Sequence, residues 1–282
     1  MAGVPTSGGV NASAEVIDGI ARAFRVARLE AVALDAFPLA LPETLAGAYR
    51  VQDAAIAAFP DRVRGWKVAG IQPELRATFG TERIAGPVMA AGVRHAEADT
   101  LVLFPVFENG FAALEAEFIF AMRRDIAPGE TPSEAELLDA VGNLFAGAET
   151  AGSPLRTINE IGQLAIVSDF GNNSGIIVGG EIADWRERDL ATLTSKVTIN
   201  GEVVGSGSAA NVAGGPLAAL RFLVGHLGAR GITLHAGDYV STGMTTGVHI
   251  VHVGDKALFE FCDGIRFRAE AIKAQPVRGP GR

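Results

Sequence analysis

The sequence predicts an α+β fold in which a large mixed β-sheet, curved or barrel-like, carries an N-terminal helical cap. Three observations lead there. Helical periodicity occupies the stretch before residue 60. From Gly65 the chain changes to short runs rich in Val, Ile, Thr and Phe, punctuated by Gly, Pro and Asp. The later helical stretches interrupt these runs without the steady alternation of a parallel βαβ sheet.

Met1 to Val10 are small, polar and Gly-rich and read as a loose arm. A first helix is expected over Ala14 to Leu34, with Ile17, Ile20, Phe24 and Leu29 facing inward. A second is expected to open at Pro42, a residue tolerated in a first turn, and to place Leu45, Tyr49, Gln52, Ile56 and Phe59 at three-four spacing. Strands are expected at Trp66 to Ala69, Leu101 to Phe104, Ala112 to Met122, Gly175 to Val178 and Thr192 to Thr198. Asn200-Gly201 marks a hairpin, because a type I′ turn needs two residues that accept positive φ. Two helices break the sheet: one behind the capping box Ser133-x-x-Glu136, one from Pro216 with Leu217, Leu220, Val224 and Leu227 on one face. The division that follows is an arm and cap over 1–62 and a metal-binding, catalytic, β-rich domain over 63–275.

Of the 282 residues, 48% are hydrophobic and 20% charged, which excludes disorder and leaves apolar surface for a homo-oligomer. A net charge of -8 argues against nucleic acid or an anionic membrane as partner. Every apolar run is broken before membrane-spanning length, the start of the chain lacks a leader pattern, and one cysteine cannot form an internal disulfide. A cytoplasmic protein is the expectation.

The chemistry concentrates in acidic residues set among apolar ones. In Leu114-Glu115-Ala116-Glu117-Phe118 the two carboxylates lie two residues apart, so on a strand they share a face. Such a pair suits an edge strand whose polar face meets water, and it equally suits hard-oxygen ligation of Mg²⁺ or Mn²⁺. Glu149 ends another apolar stretch and could supply a third oxygen; a loop carboxylate or a helix cap is the alternative. Lys67 is the one charge in Gly65-Trp66-Lys67-Val68-Ala69-Gly70, either a snorkelling strand lysine or a proton-handling group beside the carboxylates.

These pieces occur in one order. Gly-Trp-Lys-Val at 65 to 68, Glu-Ala-Glu at 115 to 117, Gly-Ala-Glu-Thr at 147 to 150, Ser-Asp-Phe-Gly-Asn-Asn-Ser-Gly at 168 to 175 and Val-Ser-Thr-Gly at 240 to 243 resemble the 2-keto-4-pentenoate hydratase family, within the fumarylacetoacetate hydrolase superfamily. The likeness runs from about Tyr49 to Ala271. It implies the superfamily's sheet and a Mg²⁺ or Mn²⁺ held by Glu115, Glu117 and Glu149. It also implies a small-molecule 2-oxo or 2-hydroxydienoic acid as ligand and Lys67 as the acid-base group. Asp169 would join the catalytic set from a loop that closes over the ligand in relatives. Asn173 in that loop, and Thr242 and Gly243 in the turn beside the site, would bind substrate. The implied reaction is hydration of a 2-hydroxy-2,4-dienoate to a 4-hydroxy-2-oxo acid. Decarboxylation of an oxalocrotonate-like diacid, hydrolysis of an acylpyruvate and non-catalytic 2-oxo-acid binding are the alternatives.

Two positions depart from the family pattern. Ala85 stands where an acidic residue usually precedes the glycine, so Glu82 is taken as its substitute in proton transfer. Phe170 stands where Asp-Asn is common and is expected to enlarge and dry the substrate pocket. Other signals are weaker: the Gly205-Ser-Gly-Ser-Ala-Ala210 run lacks the helix and acidic residue of a dinucleotide site. His249 and His252 would point to opposite faces of a strand, and Cys262 reads as a buried, inert thiol.

Overall fold

The computed structural model describes residues 13–277, so the expected arm at Met1 to Val10 lies outside the described residues. Two helices, α1 (Ala14–Glu30) and α2 (Leu45–Ala58), precede β1 (Val63–Gly70), α3 (Pro73–Phe79), β2 (Arg83–Met89), β3 (Val93–His95), β4 (Leu101–Val106) and β5 (Phe111–Met122). There follow α4 (Glu134–Ala140), β6 (Val141–Ser153), α5 (Ile158–Ile161), α6 (Gln163–Ser168), β7 (Asn173–Glu181), β8 (Thr194–Ile199) and β9 (Glu202–Ser208). The chain closes with α7 (Gly215–Ala229), β10 (Tyr239–Met244), β11 (His249–Ile250), β12 (Lys256–Phe261) and β13 (Arg266–Lys273).

The strands form a mixed 8-stranded sheet ordered β2-β1-β10-β5-β6-β7-β3, with β11 also paired to β5, and a 5-stranded sheet ordered β4-β13-β12-β8-β9. Parallel pairs, β1 with β10, β3 with β7 and β4 with β13, sit among antiparallel ones, so the mixed α+β reading holds. The principal core fills the space between the sheets and α7, with Phe104, Phe118, Phe120, Phe259 and Phe267 among its buried side chains. A second cluster joins α1 and α2 to the 8-stranded sheet through Ile17, Ile20, Phe24, Val51, Met89, Leu155 and Phe170. Among the described residues no helix is long and apolar enough to cross a membrane.

Local signals account for most boundaries. The Ser133–Glu136 capping box starts α4, and Asn200 (φ 51) with Gly201 (φ 90) makes the β8–β9 turn. Two helix ends differ from expectation. The first helix stops at Glu30 because Ala31 turns left-handed (φ 52) and its N–H bonds the Ala27 carbonyl; Leu34 instead bonds Pro154 at the end of β6. The second begins after Thr44, whose hydroxyl caps Gly47 N–H, so Pro42 lies just before the helix rather than in it.

The largest difference is β6. Its sequence, Val-Gly-Asn-Leu-Phe-Ala-Gly-Ala-Glu-Thr-Ala-Gly-Ser, is poor in β-branched residues, yet it forms a 13-residue strand between β5 and β7. Close packing explains the small residues. A Cβ on Gly147 would lie 2.4 Å from Ile119 Cδ1 and 2.5 Å from the Ile177 carbonyl oxygen. Tertiary pairing overrides propensity here, and it turns Glu149 from a loop or cap residue into a strand residue.

Candidate functional site

Strand register assembles the acidic residues. Glu115 pairs with Glu149 across β5 and β6, and Glu117 pairs with Gly147, so the three carboxylates share one face while Leu114, Ala116 and Phe118 point into the core. Their oxygens include a set lying within 4.8 Å of one another. On the same sheet Lys67 of β1 pairs with Ser241 of β10, which brings its ammonium within 3.4 Å of Glu149 Oε1.

Neighbouring groups fix each carboxylate. Ser241 Oγ donates to Glu117 Oε2 at 2.5 Å and Gly243 N–H donates to the same oxygen at 2.9 Å. Asn173 Nδ2 donates to Glu149 Oε1 at 2.9 Å. Glu117 is only 1% exposed, and its other oxygen, Oε1, is buried with no hydrogen-bond partner. A buried, unsatisfied carboxylate oxygen is costly unless a cation meets it. Three carboxylates and one ammonium leave a formal charge that one divalent cation would cancel, so the donor set fits a hard dication.

The electrostatics show the same strain. Burial, followed by repulsion from Glu149, pushes the Glu115 carboxyl up to about 8, with Lys67 opposing. Burial, Glu149 and Glu115 together push Glu117 well above the usual carboxylate range, against the hydrogen bonds from Ser241 and Gly243. For Lys67 burial alone would lower the ammonium, but the combined pull of Glu149, Glu115 and Glu117 raises it, so it stays protonated.

The carboxylates open onto a cavity of about 430 Å³. Its titratable lining is Lys67, Glu115 and Glu117; amide side chains of Gln72, Asn159, Gln163 and Asn172 and apolar groups complete it.

The remaining expected site residues are placed differently. Asp169 is buried, with Oδ1 taking Arg28 Nε at 2.5 Å and Oδ2 taking Ser153 Oγ at 2.6 Å. Both its oxygens are engaged away from the cavity lining. Glu82, taken as a substitute acid, has a side chain 64% exposed beside Arg76 and Arg83; it does not line the cavity. Ala85 is fully buried, its N–H bonded to the Tyr49 hydroxyl and its carbonyl to Gln52. Phe170 does not dry the cavity either: it packs edge-on against Phe59 and under the Arg28 guanidinium, on the far side of the loop. Thr242 Oγ1 donates to the Phe118 carbonyl, bracing the turn, and Gly243 reaches Glu117 through its backbone.

Sequence reasoning missed Ser241, which bonds Glu117, and Arg28. From α1 the guanidinium holds Asp169 and also donates to the Asn173 and Gly152 carbonyls at 2.9 and 3.0 Å. The available signal was a charge placed four residues after Phe24 on the apolar stripe of α1.

No family model matches the chain. A 92-residue segment is 36% identical to 4-oxalocrotonate decarboxylase of Pseudomonas putida, covering 33% of this chain and 35% of that enzyme. Over 183 residues the chain is 25% identical to 2-keto-4-pentenoate hydratase of Burkholderia vietnamiensis, covering 65% of this chain and 68% of the other. The aligned stretches thus span about a third of the one relative and about two thirds of the other. In fold, the chain matches 4-oxalocrotonate decarboxylase from Pseudomonas putida G7, complexed with magnesium and adipate, at a TM-score of 0.75. That match has 24% identity and covers 93% of this chain and 99% of the other. The chain thus has the fold of 4-oxalocrotonate decarboxylase and is similar in sequence to decarboxylases and hydratases of 2-oxo acids. These sequence relatives are enzymes, hydratases and decarboxylases, and the present chain brings Glu115 and Glu117 of β5 together with Glu149 of β6.

Proposed function

We propose that the protein is a divalent-metal-dependent lyase of a 2-oxo acid or its 2-hydroxydienoic tautomer, with addition of water to give a 4-hydroxy-2-oxo acid as the leading reaction. The observation that carries this reading is the buried triad with an unpartnered Glu117 oxygen beside an open cavity. Glu115, Glu117 and Glu149 would hold Mg²⁺ or Mn²⁺, and residues 63–275 would form the catalytic unit beneath the 1–62 cap. When bound, the ion supplies Lewis-acid polarisation of a chelated C2 oxygen.

The chain's own residues do the rest. Lys67 is the only cationic side chain on the cavity wall and is held protonated, so it serves as the acid that delivers a proton to the substrate carbon chain. Ser241 and Gly243 keep Glu117 oriented, and Asn173 does the same for Glu149. Asp169, bound by Arg28 and Ser153, is a positioning residue for the loop that carries Asn173.

Decarboxylation is the second reading, favoured by one observation: beyond the carboxylates, Lys67 is the single titratable group on the cavity wall. Loss of carbon dioxide followed by carbon protonation needs one proton donor, whereas hydration needs a water activated as well. Incubating the protein with Mg²⁺ and a panel of 2-hydroxydienoates and unsaturated 2-oxo diacids, with products weighed by mass spectrometry, separates gain of water from loss of carbon dioxide. Mg²⁺-independent turnover, or no turnover of any member, would sink the lyase reading.

A further inference from the structure

The wall of the cavity away from the carboxylates carries no cation. Lys67 is the sole positive group among the lining residues, and Glu149 already engages it at 3.4 Å. A second carboxylate on a ligand would therefore sit without a partner charge, among amides and apolar side chains. Two of the amides are joined, and a third lines the same cavity. Asn172 Nδ2 donates to Asn159 Oδ1 at 3.3 Å, which leaves Asn172 Oδ1 buried and unpartnered; Gln163 Oε1 is likewise buried and unpartnered. Asn172 is only 6% exposed, so bulk water does not readily satisfy its oxygen. Carbonyl oxygens in that state call for a hydrogen-bond donor from a ligand.

Size points beyond the smallest 2-oxo acids. A volume of about 430 Å³ would hold about fourteen waters at ~30 Å³ each, far more than a three- or five-carbon acid displaces. Phe111, Ile166 and Ile250 supply apolar wall along that extra length.

We propose that this amide patch, Gln163 and Asn172 supported by Asn159, is the specificity determinant of the site. It selects a 2-oxo mono-acid whose chain extends past five carbons and ends in a neutral hydroxyl-bearing group, and it rejects a diacid of equal length. The inference rests on the lyase reading for its C1 and C2 anchor, and it opposes the oxalocrotonate-like diacid as the physiological ligand.

Titration calorimetry on the full chain with Mn²⁺ tests it without turnover, using pyruvate, 6-hydroxy-2-oxohexanoate and 2-oxoadipate as probes. The hydroxy-acid is expected to bind on the order of tenfold tighter than 2-oxoadipate, and tighter than pyruvate. Gln163→Met should remove most of its advantage over pyruvate while leaving pyruvate affinity as it was. Asn172→Gly, suited to the positive φ of 61 at that position, should do the same. Should 2-oxoadipate bind as tightly as the hydroxy-acid, or both variants keep the full preference, the amide patch is not the selector. If pyruvate itself shows no Mn²⁺-dependent binding, the lyase reading fails first and takes this inference with it. The wild-type affinity series requires no variant to fold.

Discussion

The floor of the cavity and its wall are built by different means. The floor is two paired strands: Glu115, Glu117 and Glu149 stand where β5 and β6 register puts them, and their shared face follows from the two-residue period of a strand. Part of the wall, Asn172, comes from the turn at 169–173 between α6 and β7, and long-range contacts hold that turn. Arg28, far away in sequence, grips Asp169 and the Asn173 carbonyl, while Gly171 (φ 66) lies so close to Gly86 that a Cβ there would come within 2.9 Å of its Cα. A floor set by register keeps its geometry through the ladder's own hydrogen bonds; a wall set by one arginine depends on the cap staying docked.

The largest expected effect falls on the floor. Glu117→Gln should abolish Mn²⁺ binding and lower turnover by on the order of 10³-fold, since metal polarisation is worth several kcal/mol. The same change should raise the melting temperature of the metal-free protein, because folding then no longer carries the cost of burying an acid that must take up a proton beside two other carboxyls. Retained Mn²⁺ binding would take Glu117 out of the metal set.

Breaking the wall should cost stability before chemistry. Arg28→Met strands the buried Asp169 carboxylate, and denaturant titration should show a loss of about 3–5 kcal/mol. Pairing it with Asp169→Asn should recover part of that, since the uncompensated charge is then gone. An undiminished midpoint in the single variant would show that the cap does not hold the loop.

A smaller effect sharpens the electrostatic side. In the metal-free protein Glu115 retains its proton up to about 8, whereas an unfolded chain releases it near 4.5. Between those values the folded state binds more protons, so its stability falls as pH rises through that window and is greatest below it. Adding Mn²⁺ should flatten the dependence. Melting curves across pH, with and without the ion, check this; a metal-free stability that climbs from pH 5 to 8 would contradict the crowded-carboxylate picture. The smallest effect is Glu82→Gln, expected to change turnover less than about twofold, as surface ion pairs contribute little.

The same contrast explains what could be read from the residues in advance. The Glu115-Ala116-Glu117 alternation and the isolated Lys67 gave the floor, because burying a charge in an apolar run needs a reason and a strand's period is fixed. The strand holding Glu149 was hidden by its glycines and alanines, chosen for fit against Ile119 and Ile177 rather than for propensity. The wall was less legible. Phe170 faces Phe59 and Arg28 rather than substrate, Glu82 lies on the surface, and Asp169 answers to an arginine on a distant helix. Nothing local in the turn at 169–173 encodes which of its sides will meet the cavity.

Antiparallel pairing of Glu115 with Glu149 also limits how this gene can change. Losing or gaining one codon inside either strand would turn every following side chain to the opposite face, sending the acids into the oily interior and the phenylalanines into the cavity. Length variation should therefore be tolerated only in the segment joining the two strands, around residues 123–133, where extra residues leave the ladder untouched.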